Sequence, residues 1–353
     1  MDIHAGRRAQ ADAAPIRVLQ SFGEPRPTTN PYIVMLGQAL EAEPSTTLVR
    51  FSFRTALLGR YDVFHVHWPE ILMEGHSPLK QLARQLLCLL FLVRLRLTRT
   101  AVVRTMHNIE RPQGMGRRAA LLLDGFDRAT TLQVRLNDLT PTSDGVASVV
   151  IPHGHYRDWF ASFPRSSARP GQIGYVGLIR RYKGVENLVQ AFRSLAGDGI
   201  RLAVAGKPSS AELAETLEEA AAADPRIDLT LRFLTEAELV GAISAAQVVV
   251  LPYRFMHNSG ATLAALSLDR PVLVPANDVN AALAAEVGSA WVTQFEGDLT
   301  PEALGAALAA GLPQGSPDLS RREWSDAGRT HAAAYRSAIA IRRAGRKDTP
   351  VSV

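Results

Sequence analysis

The stretch Gly174-Tyr-Val-Gly-Leu-Ile-Arg-Arg-Tyr-Lys-Gly184, continued by Val185-Glu-Asn-Leu-Val-Gln-Ala-Phe192, reads as a strand ending in glycines, a basic turn and the opening of a helix. Bare backbone lets an anion approach closely, a helix N-terminus offers free amides, and the cations add charge at the same point. That combination suits a diphosphate held at the carboxyl edge of a parallel sheet.

Outward from this segment the pattern alternates. Downstream, the spacing predicts strands over 172–176, 201–205, 227–232, 248–251 and 272–275, a short strand near Trp291, and helices over 185–196, 210–223, 236–245 and 261–268. Upstream, it predicts strands over 16–21, 47–51, 63–67, 101–106, 130–134 and 149–151, with helices over 32–41, 79–97 and 116–126. Helical patterns over 301–310 and 321–342 close the chain. Strands alternating with helices imply an α/β fold with parallel sheets covered on both faces.

At 353 residues and 46% hydrophobic, the chain is long enough for two globular halves. The expected boundaries are a disordered leader over 1–15, a first Rossmann-like domain over 16–160, a connector from Ser162 to Gly171, and a second Rossmann-like domain over 171–320. The tail after Gly345 is expected to be disordered. Two such sheets facing each other would leave a cleft beyond their strand ends.

The single cysteine, Cys88, cannot close an intramolecular disulfide, and the first residues lack the apolar core of a signal peptide. A cytoplasmic setting is expected. The formal charge of +5 favours anionic partners, but there is no zinc spacing and no aromatic-basic signature of RNA binding, so nucleic acid is not among them. The apolar pattern from Leu79 to Leu97 is interrupted by Lys80, Arg84, Arg94 and Arg96, too charged to span a bilayer. It fits either a helix packed on a sheet or one resting on an anionic membrane surface, at the inner face of the cell membrane.

The segments Gly174 to Gly184, Phe233-Leu-Thr-Glu-Ala-Glu-Leu239, Val248-Val-Val-Leu-Pro-Tyr253, and Asn258-Ser-Gly260 ahead of Arg270-Pro-Val272 resemble, in order and spacing, the nucleotide-sugar half of GT-B glycosyltransferases. The resemblance is to glycosyltransferase family 4 and related bacterial exopolysaccharide mannosyltransferases. It implies two Rossmann-like domains, with a C-terminal helix over 321–345, around Trp324 and Tyr335, returning to the first.

By this resemblance Arg180 and Lys183 grip the donor diphosphate, and Gly177, Gly206 and Lys207 line the same edge. The commonest family pattern has its arginine directly after the glycine, where this chain has Leu178. Arg181 reads as surface. Asn258, Ser259, Gly260 and Ala261 form a phosphate cradle, although an ordinary helix cap by Ser259 explains the same letters. Phe233, Leu234 and Glu238 would lie against the nucleoside. Many retaining relatives carry two glutamates eight positions apart across the 252–260 turn; Met256 and Ala264 stand there instead. The stereochemical outcome and the donor are left open by that departure, between GDP- and UDP-hexoses with GDP-mannose slightly favoured.

The first half resembles the acceptor domain of the same enzymes through Pro27-Thr-Thr-Asn-Pro-Tyr32, Asp62-Val-Phe-His-Val-His-Trp-Pro-Glu70, Arg104-Thr-Met-His-Asn108 and Ile151-Pro-His-Gly154, each at a predicted strand end or loop. His107 corresponds to a histidine beside donor sugar and acceptor. Thr29, Asn30, His67, Asn108 and His153 are expected on the acceptor side, with Glu110 as a further neighbour. Glu70 would deprotonate the acceptor hydroxyl if the reaction inverts configuration. His65, His67 and Glu70 invite a metal reading, but no third ligand is evident and GT-B enzymes generally work without bound metal.

The expected function is transfer of a hexosyl group from a nucleoside diphosphate sugar to a hydroxyl of a glycan or polyprenyl-linked acceptor, with no cofactor. The alternatives are an inactive GT-B-shaped binding or regulatory subunit and a nucleotide-sugar epimerase. A nicotinamide-dependent oxidoreductase is a weak third reading, because no Gly-x-Gly-x-x-Gly opens the first helix of either half and no ribose-binding acid stands at the expected distance.

Overall fold

A computed structural model describes residues 14–26, 28–111 and 114–345. The expected leader, apart from residues 14 and 15, the tail from residue 346, and Pro27 lie outside the described residues. The chain divides into two compact units, one running to Gly154 and resuming at Arg322, the other running from His155 to Arg321.

The first unit holds six parallel strands, β1 (Ile16–Gln20), β2 (Thr46–Val49), β3 (Val63–Val66), β4 (Ala101–Met106), β5 (Leu132–Arg135) and β6 (Ala147–Val150), in the order β2-β1-β3-β4-β5-β6. Its helices are α1 (Pro31–Ala42), α2 (Phe53–Leu58), α3 (Pro69–Met73), α4 (Pro78–Leu97), α5 (Arg117–Ala129) and, from the end of the chain, α13 (Trp324–Ala344). All four residues of β3 are buried. Side chains alternate across a strand, so Phe64 and Val66 join Cys88, Phe91, Leu95 and Phe126 in the core beneath α4 and α5. His65 faces the other way, toward His331 and Tyr335 of α13. That last helix packs on α1, where a Cβ at Gly328 would lie 2.7 Å from the Ala39 carbonyl oxygen, so glycine permits the close crossing.

The second unit repeats the design with β7 (Gln172–Val176), β8 (Arg201–Ala205), β9 (Ile227–Thr230), β10 (Val248–Val250), β11 (Val272–Pro275) and β12 (Val292–Phe295), in the order β12-β11-β10-β7-β8-β9. The helices are α6 (Arg157–Phe160), α7 (Val185–Arg193), α8 (Ala211–Ala222), α9 (Glu236–Ala245), α10 (Gly260–Ser267), α11 (Asp278–Val287) and α12 (Pro301–Ala309). Every residue of β7 is buried, as expected of a central parallel strand covered on both faces.

The strand order reverses beside β1 and β3 in the first sheet, and beside β7 and β10 in the second. Ligands of open α/β sheets bind outside the carboxyl ends of strands at such points. The loops that follow β3, at His67, and β7 and β10, at Gly177 and Pro252, therefore occupy the binding positions of their units.

Four helices are present that the periodicity did not predict: α2, α3, α6 and α11. The first three are only 6, 5 and 4 residues long, below the span over which a 3.6-residue period can be recognised. α11 is alanine-rich, so its apolar face is faint, although Asn277 caps it by accepting from the Asn280 amide at 2.8 Å.

Candidate active site

In the second unit the chain leaves β7 through Gly177, whose φ is 137°. A Cβ at Gly206 would lie 1.8 Å from the Gly177 carbonyl oxygen, so the two strand-end loops touch backbone to backbone. Ile179 and Lys207 then continue this pairing through an N–H to carbonyl bond of 3.0 Å. Residues 181–183 form one 3-10 turn, which ends at Gly184 with φ 63°. A Cβ there would sit 2.3 Å from the Pro252 carbonyl oxygen, and the Arg254 amide donates to the Tyr182 carbonyl at 2.9 Å. Two glycines thus bring the basic turn against the loop after β10.

Lys183 is the half-buried cation of this turn. Its ammonium lies 4.9 Å from the centre of the Tyr253 ring and 3.7 Å from where a Cβ of Gly177 would stand. Burial, with the neighbouring Arg180 charge, pulls its pKa down to about 8. A cation held at this cost is set to receive an anion, which would restore its ordinary proton affinity. Arg180 is exposed beside it, whereas Arg181 pairs with Glu212 at 2.8 Å.

Tyr253, buried, hydrogen-bonds to Ser259 and so links the lysine to the start of α10. Ser259 caps that helix, its hydroxyl accepting from the Thr262 amide at 3.2 Å. Gly260 and Ala261 occupy its first turn, half-buried, with Tyr156 close enough that a Cβ at Gly260 would lie 3.2 Å from the phenol oxygen. Capping and an amide-lined helix start coexist here. Met256 and Ala264, at the positions of the absent glutamates, are both buried. The Met256 carbonyl accepts from Asn277 at 3.1 Å, and its sulfur accepts from Asn280 at 3.5 Å, so α11 fixes this loop.

Phe233 is 59% exposed at the edge of the same sheet, with Leu234 half-buried beside it. Glu238, on the first turn of α9, follows at the same edge. Its carboxylate closes a capping box with Thr235 and pairs with Arg232 at 2.6 Å, which depresses its pKa to about 2.

In the first unit a cavity of about 350 Å³ opens beyond the ends of β3 and β4, lined among others by His67, Trp68, Glu70, Arg104, His107 and Asn108. Sequence reasoning brought forward four of these and missed Arg104 and Trp68. The Trp68 ring stacks on His107 at 3.9 Å and 20°, and Arg104 pairs with Asp127. Burial raises the Glu70 carboxyl above its ordinary value, with the Arg104 charge opposing.

A chain of hydrogen bonds orients His107. The Gln20 side-chain oxygen lies 3.2 Å from His67 Nε2, and His67 Nδ1 lies 3.1 Å from His107 Nε2. An amide oxygen only accepts, so His67 carries its proton on Nε2, and its Nδ1 accepts from His107 Nε2–H. His107 is therefore the tautomer whose Nδ1 is an acceptor. The amide nitrogen of Gln20 donates to Tyr335, which bonds His65 at 2.8 Å; His65 in turn bonds Thr105 at 2.8 Å. Burial lowers the pKa of all these imidazoles, His67 to about 3 and His153 to about 4, so the cluster is neutral at pH 7. Gln20 was missed in the sequence; a polar residue ending a strand directly after the apolar pair Val18-Leu19 is the signal that marks it.

His153 rests on Tyr32 at 4.6 Å between ring centres, and Tyr32 meets His107 edge-on at 5.2 Å. Thr29 and Asn30 have local partners: Thr29 accepts from the Arg26 amide at 2.8 Å and Asn30 caps α1 by accepting from the Tyr32 amide at 3.0 Å. Asn108 and Glu110 are exposed at the cavity mouth. Among the described residues no group of three or more His, Cys, Asp or Glu could hold a metal ion, so His65, His67 and Glu70 do not form one.

Two parallel α/β sheets, the second with a glycine-bounded cationic turn at its switch point, define a GT-B glycosyltransferase. The family model described as glycosyl transferases group 1 matches residues 170–312. A GDP-mannose:glycolipid 4-beta-D-mannosyltransferase of Xanthomonas campestris pv. campestris is 42% identical over 335 residues, covering 94% of this chain and 95% of that protein. The chain belongs to the group 1 glycosyl transferases. Similar folds include Anabaena HepE in complex with UDP, at TM-score 0.58 and 12% identity over 94% of this chain and 98% of that one. Sucrose-phosphate synthase from Thermosynechococcus elongatus gives TM-score 0.54 and 16% identity, with the same coverage of 94% and 98%.

Proposed function

We propose that this glycosyltransferase moves a mannosyl unit from GDP-mannose to a hydroxyl of a lipid-linked glycan in exopolysaccharide assembly, forming a β linkage without a bound metal. The observation that carries this reading is the 42% identity, over 94% of the chain, to a GDP-mannose:glycolipid 4-beta-D-mannosyltransferase. GDP-mannose is an α-glycoside, so a β product requires inversion. Inversion needs one base on the acceptor side and no carboxylate against the donor sugar, and Met256 in place of a family glutamate agrees with that requirement.

Arg180, Lys183 and the amides at Gly260 and Ala261 would hold the diphosphate and take up the charge that grows on it. Each such donor is worth about 2–4 kcal/mol in a transition state. The acceptor oxygen attacks the anomeric carbon, the bond to the diphosphate oxygen breaks with its electron pair, and the hydroxyl proton passes to Glu70. A carboxyl raised by burial is a stronger base than an exposed one. His107 Nδ1 would accept a hydrogen bond from a sugar hydroxyl, with its ring fixed by Trp68 and His67.

Incubation with GDP-mannose and a lipid-linked oligosaccharide, followed by NMR of the anomeric centre, tests the reading. A β-mannosyl product is expected, and Glu70→Gln should lower turnover by about 10²–10⁴-fold with donor affinity kept. An α product, or unchanged turnover in Glu70→Gln, refutes the inverting role of this residue. Failure of GDP-mannose where UDP-hexoses transfer refutes the donor.

A further inference from the structure

The helix α4 is apolar on both sides. Its inner face, with Cys88, Phe91 and Leu95, is buried in the core under the first sheet. Its outer face carries Leu79, Leu86, Leu89, Leu90, Val93 and Leu97, which are between 48% and 81% exposed. At 100° per residue these positions fall within an arc of about 100°, a continuous stripe some 30 Å long. Apolar patches of this extent are uncommon on soluble monomers and mark interaction surfaces.

The charge on the helix itself has one sign. α4 contains no acidic residue, and Lys80, Arg96 and Arg99 are exposed along it. On the neighbouring α5, Arg117 and Arg118 are exposed and share with Leu82 the lining of a cavity of about 380 Å³. Leu121, 67% exposed, extends the apolar surface one turn further. The acids of α5, Asp124 and Asp127, are paired with Arg111, and none of these five cations has an ion-pair partner among the described residues. No helix among the described residues is long and apolar enough to cross a membrane.

We propose that the outer face of α4, with its rim of Lys80, Arg96, Arg99, Arg117 and Arg118, is the surface on which this enzyme lies against an anionic lipid bilayer. Leucines enter the acyl boundary while the arginines pair with lipid phosphates, the arrangement of an interfacial amphipathic helix. The partner is lipid rather than protein because an apolar stripe on a helix without acids, flanked by five cations, complements a negative surface. The assignment deepens the reading of a lipid-linked acceptor and rests on it for its purpose.

Sedimentation with vesicles of phosphatidylcholine, alone or with about one-third phosphatidylglycerol, tests it directly. The native chain should bind the anionic vesicles at least about tenfold more tightly, and binding should weaken with salt. The triple variant Leu86→Gln, Leu89→Gln, Leu90→Gln should lose binding about tenfold or more with its melting temperature retained. Arg96→Gln with Arg99→Gln, which leaves the apolar face intact, should reduce the preference for anionic lipid. Equal binding by native and variant chains overturns the proposal, as does absence of binding by the native chain. A native dimer that the triple variant dissolves, without vesicle binding, assigns the face to a second copy and overturns it as well. Transfer to a water-soluble acceptor should survive in both variants, so loss of vesicle binding is distinguishable from failure of the catalytic reading.

Discussion

At Lys183 the proposed function works against stability. Its ammonium is held between Tyr253, Gly177 and the charge of Arg180, with a pKa near 8. In the charged form a lysine whose folded pKa is depressed opposes folding; stability therefore rises with pH from about 8 toward the unfolded value of about 10.4. Diphosphate binding has the opposite sign. An anion raises the pKa, so affinity is full below pH 8, falls above it, and binding takes up protons in that window. Calorimetric titration of GDP in two buffers of different ionisation enthalpy should detect this uptake near pH 8, and Lys183→Ala should abolish it. The same variant should lose about 10²–10³-fold in turnover and melt no lower than the native chain. Glu70 predicts the acid limb of the rate profile. Its raised pKa means that activity falls, as pH drops, at a value above that of an ordinary glutamate. A limb at or below the ordinary value would remove Glu70 from the role of base.

At the scale of elements, glycines determine where the loops meet. Gly206 approaches the backbone of Gly177 closely enough to exclude any Cβ, and Gly184 does the same against Pro252. Gly206→Ala should therefore separate the loops after β7 and β8 and cost about 2–4 kcal/mol, seen as a lower denaturant midpoint, with weakened nucleotide binding. Gly305→Ala, on α12 with only an ordinary contact at 3.5 Å, is the control and should be neutral or stabilising. The strand-glycine-turn-helix order from Gly174 to Phe192 was legible because each part has a local signature. The side-chain partners of Glu238 were not legible: its capping box with Thr235 and its pair with Arg232 follow from how the loop before α9 turns. The stripe on α4 was likewise ambiguous, since a helix with leucines on all sides reads as core until its neighbours are known.

For the whole molecule, the two sheets have different strand orders, and each unit presents its candidate groups at its own switch point. A ligand held only by the folded second unit should stabilise the chain by mass action. GDP at 100 times its dissociation constant adds about 2.7 kcal/mol, enough to raise the melting temperature by a few degrees. The same concentration of UDP should shift it less, and an equal or larger shift with UDP would count against the guanosine donor. The sequence by itself determined the class of fold, the division into two α/β halves and the glycine-bounded basic turn, because strand and helix periods and glycine placement act over a few neighbouring residues. Only the tertiary structure decided that Gln20, His65, His67, His107 and Tyr335 form one neutral hydrogen-bonded cluster, joining residues more than 300 positions apart. It also decided which face of α4 is left in water. Both depend on burial, which removes charge from imidazoles and exposes or hides leucines according to what packs above them.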